Sequence, residues 1–230
     1  MPGNPVLDAV ASWHPAPMQL WAHDGALYEV NSYYSLPDDA WQYELVGRAG
    51  APTTRSYLIV LIPDATPQDG PFTPSHCEHA RVMVHDGQTP WPILRRFVDL
   101  IEQSGDITHE HQAGPAIGAL TLSNNAWQLA GQRFEVNSFY FSDRDSWTYE
   151  LYEVDRETTE NNYVEVQIPD TQPAGGPFTP ATANQVTFTA HGTWTVPWPV
   201  FRHFLDAVEA TGDIVQGATD AGHPEPSPGP

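Results

Sequence analysis

The sequence predicts an α+β protein: a tandem duplication of a β-β-β-β-β-α unit. Each unit is expected to form a mostly antiparallel sheet with one helix packed on one face, the two arranged as a pseudo-twofold pair. Three observations carry this. The chain repeats itself at long range. Each copy opens with segments of alternating polarity. Each copy closes with one segment of helical periodicity.

The repeat is the strongest signal, and internal repetition is read before anything else. Tyr28-Glu29-Val30-Asn31-Ser32 returns as Phe134-Glu135-Val136-Asn137-Ser138, and Trp41-Gln42-Tyr43-Glu44-Leu45 as Trp147-Thr148-Tyr149-Glu150-Leu151. Ile62-Pro63-Asp64 returns as Ile168-Pro169-Asp170, and Gly70-Pro71-Phe72-Thr73-Pro74 as Gly176-Pro177-Phe178-Thr179-Pro180. The offset is 106 residues up to this point and 107 from Pro90-Trp91-Pro92 and Pro197-Trp198-Pro199 onward. A period this long gives two domain-sized units, not a solenoid. The predicted organisation is an N-terminal tail over 1–16, repeat unit 1 over 17–110, a linker over 111–118, repeat unit 2 over 119–215, and a Pro/Gly-rich tail over 216–230.

Within a unit, period-2 alternation marks the strands. A short strand surrounds Trp21 and Trp127. From Leu27 to Ser35, Tyr28, Val30, Ser32 and Tyr34 share one face, with Glu29 and Asn31 on the other. From Trp41 to Val46, Trp41, Tyr43 and Leu45 alternate with Gln42 and Glu44. Tyr57 to Ile62 is apolar on both faces, whereas Tyr163 to Ile168 alternates, with Val164, Val166 and Ile168 inward and Glu165 and Gln167 outward. The copies have therefore diverged in what this face touches. Ala80, Val82 and Val84 point inward, with Arg81, Met83 and His85 outward. The helix follows: Thr89 as cap, Pro90 at the first helical position, Leu94, Phe97, Val98 and Ile101 at helical spacing, and Gly105 as the stop. Phe201, Phe204, Leu205, Val208 and Gly212 repeat it. Arg95–Asp99 and Arg202–Asp206 are expected as i,i+4 pairs on the exposed side.

Composition bounds the function. Twenty-nine acids against nine bases, all arginine, give a net charge of −20. That charge disfavours nucleic-acid and anionic-membrane partners. The lysine-free composition fits a GC-rich coding bias ahead of salt adaptation, and both copies carry the acidic excess. The single cysteine, Cys77, forms no disulfide framework. With no basic-then-apolar leader and no run of apolar residues long enough to span a bilayer, a cytoplasmic location is expected.

The strand-run-then-helix order, used twice, resembles the topology of purine-rich-element-binding repeats and whirly-type proteins. That resemblance implies single-stranded nucleic-acid binding through a basic, aromatic sheet face. Here the aromatics are present and the charge has the opposite sign.

Two candidate sites emerge. Glu29, Asn31, Glu44 and His85, matched by Glu135, Asn137, Glu150 and His191, place carboxylate, amide and imidazole groups on one polar sheet face. They suit a polar ligand, or a cross-strand network that fixes register. The long loop bearing Asp64 and Phe72, matched by Asp170 and Phe178, is a candidate partner-contacting surface, or a proline-stiffened plug over the core edge. His76-Cys77-Glu78-His79 has no completing Cys/His pair, so no metal is expected. No nucleophile elbow, phosphate loop or dinucleotide fingerprint is present, and no catalytic residue or cofactor is assigned. The sequence thus points to a non-catalytic acidic protein that binds another, basic, protein. The alternatives are a small-molecule or carbohydrate-binding module using the polar sheet face, and a single-stranded nucleic-acid binder. A homo-oligomer is compatible with all three.

Overall fold

The computed structural model describes residues 18–216, apart from 67–69, 110–120, 124–125, 155–161 and 174–175. The expected tail over 1–16, the linker over 111–118 and residues 217–230 of the second tail lie outside the described residues.

The first unit begins with β1 (Gln19–His23) and β2 (Ala26–Ser35), antiparallel with Trp21 opposite Tyr28. Their two-residue turn, Asp24-Gly25, has positive φ at both positions (46° and 79°). This is the geometry that matches the twist of a tight hairpin and that favours Asp-Gly. Next come β3 (Ala40–Gly47), β4 (Ser56–Pro63) and β5 (Arg81–Val84). A short 3-10 turn at Cys77–His79 leads into β5.

A sixth strand, β6 (Gly87–Pro90), precedes helix α1 (Trp91–Ser104). Thr89 and Pro90, expected as helix cap and first helical residue, belong to this strand instead. Only Thr89 of the four is buried, so no hydrophobic alternation announces the strand. Pro90 is the cap residue and makes no side-chain cap bond. Gly105 ends the helix at φ 81°, as expected.

The second unit repeats the plan with one strand more: β7 (Thr121–Ser123), β8 (Ala126–Leu129), β9 (Gln132–Phe141), β10 (Ser146–Glu153), β11 (Tyr163–Pro169), a 3-10 turn at Ala183–Gln185, β12 (Thr187–His191), β13 (Trp194–Pro197) and α2 (Trp198–Ala210). The strands form two antiparallel sheets, and each sheet takes its last strand from the other unit. One sheet runs β1-β2-β3-β4-β5-β13 and the other β6-β12-β11-β10-β9-β8-β7. Val196 pairs with Val82, and Thr89 with Phe188.

The two crossing segments touch one another. Asp86 Oδ1 accepts the Gly192 N–H, and His85 Nδ1 lies 3.2 Å from Thr193 Oγ1. The helix starts are tied across as well. Trp91 N–H donates to Val186 O and Trp198 N–H to Ala80 O, both at 2.9 Å. Groups that a side-chain cap would otherwise satisfy are thus satisfied by the opposite unit.

Each helix follows its strand across. α1 packs against β12 and the second unit's 3-10 turn, and α2 against β5 and the first unit's turn. Between them, Trp91, Leu94, Phe97, Trp198, Phe201 and Phe204 are fully buried, and both units share one continuous core.

The arginine side of the helices is a seam. Arg95 reaches across to Asp206 (3.4 Å) and Glu209 (3.2 Å), and Arg202 reaches Glu102 (3.7 Å). Of the two expected i,i+4 pairs, Arg202–Asp206 forms at 3.5 Å. Arg95 spends its charge on the opposite helix instead of Asp99, because the side expected to be exposed is where the helices meet. Among the described residues no helix is long and apolar enough to cross a membrane.

Candidate functional site

Because the helices cover the inner faces, the polar faces of both sheets point outward. The register sets Asn31 opposite Glu44 in the first sheet and Asn137 opposite Glu150 in the second, as the sequence suggests. The two faces then differ.

The first face is a closed hydrogen-bond network. Arg48 grips Glu29 with two bonds, at 2.8 and 2.9 Å, and Asn31 adds a third at 2.9 Å. The hydrogen bond from Arg48, followed by that from Asn31, holds the Glu29 carboxyl below the usual carboxylate range. Glu44 accepts from the Tyr33 hydroxyl and from Gln42 Nε2, both at 2.7 Å. Burial and then the Glu44 bond push the Tyr33 phenol up to about 12. His85 stands apart from these carboxylates, at the crossing point with Thr193.

The second face is open. Glu135 is held by Arg133 and by the Tyr152 hydroxyl (2.9 Å), which Asn137 Nδ2 approaches at 3.4 Å. Glu150 stands directly opposite Glu165, the counterpart of Ile59. Like charges set opposite one another across a strand pair are destabilising. Glu165 is buried at 4 % exposure and has its own counter-groups. Arg144 approaches at 3.3 Å from the β9–β10 turn, His191 Nε2 at 3.1 Å, and Gln167 Nε2 donates at 3.0 Å. His191 also stacks on Tyr163, ring centroids 4.2 Å apart.

No hydrogen bond or ion pair ends on Glu150 among the described residues. Burial, and then the Glu165 charge, raise its carboxyl above the usual glutamate range, while His191 and Arg144 pull the other way. Asn137, Glu150, Glu165, Thr189 and Gln88 align in one row across five strands. Beside the row, Ser146 and Thr148 are buried on the same outward side of β10. Their hydroxyls have no partner among the described residues, and neither does that of Thr189.

Of the candidate residues named from the sequence, Glu150 and His191 lie together on this face, beside Glu165, Arg144 and Tyr163, which the sequence pattern does not single out. The available signal was the divergence between copies: Ile59 and Leu61 in one, Glu165 and Gln167 in the other.

The loop residues have structural partners within the chain. Asp64 Oδ1 accepts the N–H groups of Thr66 and Thr73, and Asp170 Oδ1 those of Gln172 and Thr179. Those backbone bonds, the one from Gln172 foremost, hold the Asp170 carboxyl low. Phe72 packs on Trp41 (5.8 Å) and Tyr34 (6.1 Å), and Phe178 on Trp147 (5.7 Å) and Tyr140 (6.3 Å). Each phenylalanine sits over the inward-facing aromatics of its own sheet.

Around the 3-10 turn, His76 Nδ1 lies 3.6 Å from Glu78, and burial pushes the Cys77 thiol up to about 11. Among the described residues no group of three His, Cys, Asp or Glu converges as metal ligands.

No family model matches the chain, and no curated protein or solved structure is significantly similar to it.

Proposed function

We propose that the protein is a non-catalytic binding protein that receives a cationic group of a basic protein partner on the outward face of its second sheet. The observation that supports this is Glu150. It is a carboxylate set against the buried Glu165, with no hydrogen-bond or ion-pair partner among the described residues, at a position whose counterpart in the first unit, Glu44, accepts two hydrogen bonds on one oxygen. An arginine or lysine head group at this point would relieve the repulsion and satisfy Glu150. Charge complementarity of this kind gives specificity and a fast encounter. The same carboxylate-lined face repels a phosphate backbone, which counts against the nucleic-acid reading. The single cysteine is in keeping with a cytoplasmic setting.

The test is titration of the full chain with an arginine-containing peptide, read by calorimetry and by amide shifts on β10 and β11. Glu150→Gln is expected to weaken binding roughly tenfold, the loss of one charge-assisted contact. Glu44→Gln is expected to leave it within about twofold. Equal losses in both variants would mean diffuse attraction to an acidic surface and would end the proposal.

A small-molecule or carbohydrate ligand on the same face is the second reading. It draws on the unpartnered hydroxyls of Ser146, Thr148 and Thr189 beside the Tyr163–His191 stack. Shifts at Thr148 and Thr189 with a neutral oligosaccharide, and none with the arginine peptide, would favour it.

A further inference from the structure

We propose that the outer edge of β1 is a docking site for an extended segment of a partner protein, one that presents a glutamate-type side chain opposite Trp21. The argument begins from the internal symmetry. β1 and β8 are counterparts, with Trp21 matching Trp127 at the repeat offset of 106. In the second sheet the outer edge of β8 is capped by β7, antiparallel, with Leu122 opposite Trp127. In the first sheet the order ends at β1, and no strand among the described residues pairs with its outer edge.

The residues standing at the positions of Thr121 and Ser123 are Pro15 and Pro17. Proline has no N–H to give to a ladder, so the sequence at these two places lacks the backbone donors that Thr121 and Ser123 have. Natural sheets protect their edges with lysine, proline or a bulge. β1 instead presents Leu20 at 59 % exposure, next to Met18 at 65 %. An edge left unpaired among the described residues is the starting point for strand addition by a peptide.

The chemistry of the occupant is read from the cleft beside the edge. An open cleft of about 490 Å³ lies between β1 and α1, lined by Gln19 and Trp21 on one side and Pro92, Arg96, Leu100 and Gln103 on the other. A strand laid along β1 in the register of β7 would point the residue opposite Trp21 into this cleft and its neighbours outward over Leu20. Arg95, also on the wall, is taken by Asp206 and Glu209. Asp99 is exposed on the rim.

Arg96 is different. Its guanidinium lies over the Trp21 ring at 4.4 Å, and it has no ion pair among the described residues, in a chain where acids outnumber bases by twenty. At the matching position the second unit has His203, edge-on to Trp127 with ring centroids 4.7 Å apart, beneath the capped edge. An arginine stacked on an aromatic ring keeps its donor fork free for a carboxylate. A side chain with an apolar stem and a carboxylate head, passing between Trp21 and Leu100 to Arg96, fits that lining.

The probe is a labelled seven-residue peptide spanning residues 119–125 with Leu122→Glu, titrated against the full chain. It is read by fluorescence anisotropy and by amide shifts of Leu20–Ala22. Three results are expected: shifts confined to β1 and the start of α1; a loss of roughly tenfold in affinity for Arg96→Gln, or for the peptide with Leu122→Gln; and no binding when the peptide also carries Thr121→Pro and Ser123→Pro. Circular dichroism checks that Arg96→Gln is folded, and the proline peptide tests the edge without changing the protein. The proposal is overturned if the proline peptide binds equally well. It also fails if the β1 amides are already protected from exchange in the free protein, whether by residues 1–17 or by a second copy of the chain.

Discussion

Removing the charge of Glu150 should make this protein more stable, while the same change at Glu44 should make it less stable. Glu150→Gln removes one of two carboxylates set opposite each other and breaks no hydrogen bond among the described residues. A directly opposed like-charge pair costs about 0.2–1 kcal/mol. Part of that is screened by water at this half-buried position. For a chain of this size 1 kcal/mol moves Tm by roughly 2–4 °C, so the expected gain is about 0.4–4 °C, nearer the lower end after screening. Glu44→Gln weakens the contacts to Tyr33 and Gln42. A loss of about 0.5–1 kcal/mol follows, and a fall in Tm of similar size.

The pH dependence separates the two further. Glu150 has a raised folded pKa, so the folded chain holds this proton more tightly than the unfolded one does. The stability it contributes is present below the unfolded glutamate value, about 4.3, and is lost as pH climbs through the folded value. The wild-type chain should carry this step and Glu150→Gln should lack it. The assay is differential scanning calorimetry of wild type and both variants at low salt, from pH 4 to 7.5. A fall in Tm for Glu150→Gln at neutral pH would show that Glu150 is structurally engaged. The functional reading built on its being open would fall with it.

Three further outcomes are expected. Phe201→Ala empties a fully buried position that meets Phe188 edge-to-face at 5.8 Å, and should cost about 3–5 kcal/mol in chemical denaturation. A loss under about 1 kcal/mol would mean the shared core is not packed as described. Expressed alone, residues 18–109 or 121–216 should elute as a strand-exchanged dimer or remain unfolded, because each sheet lacks its last strand. A folded monomer on size exclusion would contradict the exchange. The Tyr149 phenol donates to Asp213 and is raised to about 12, by burial first and by that bond second. Its protonated form is favoured in the folded chain, so the stability it contributes is whole below the unfolded value of about 10 and is lost as pH rises through about 12. Tyr149→Phe should flatten alkaline unfolding over that window.

The strands were legible because Tyr28, Val30 and Leu45 alternate strictly with Glu29, Asn31 and Glu44, and a half-buried sheet requires that period. The helices were legible from Leu94, Phe97 and Ile101. The exchange was not. Asp86-Gly87 is a standard tight-turn signal that would fold β6 back onto β5. The repeat is silent on the point, because Thr89 and Val196 occupy equivalent places and either sheet can accept either strand. Tertiary pairing decided what local preference could not. The site was half legible for a related reason. Residues kept in both copies, such as Asn31 and Asn137, drew attention. The candidate site depends on differences: Phe139 and Thr148 stand where Tyr33 and Gln42 hold Glu44, and Glu165 stands where the first copy has Ile59.

The crossing of the two units also sets a schedule for folding. β5 must wait for β13, whose Trp194 pairs with Val84 from about 110 residues further along the chain. At a synthesis rate of about 5–20 residues per second, that interval is roughly 5–20 seconds. Throughout it the first sheet has an uncapped edge at β5 and an inner face without α2. Val82, Leu58 and Ile62, wholly buried in the finished protein, are then open to other chains emerging nearby. A fold that closes only when its second half arrives leaves the nascent first half with exposed apolar surface and an unpaired strand edge for that interval, the condition under which chains aggregate.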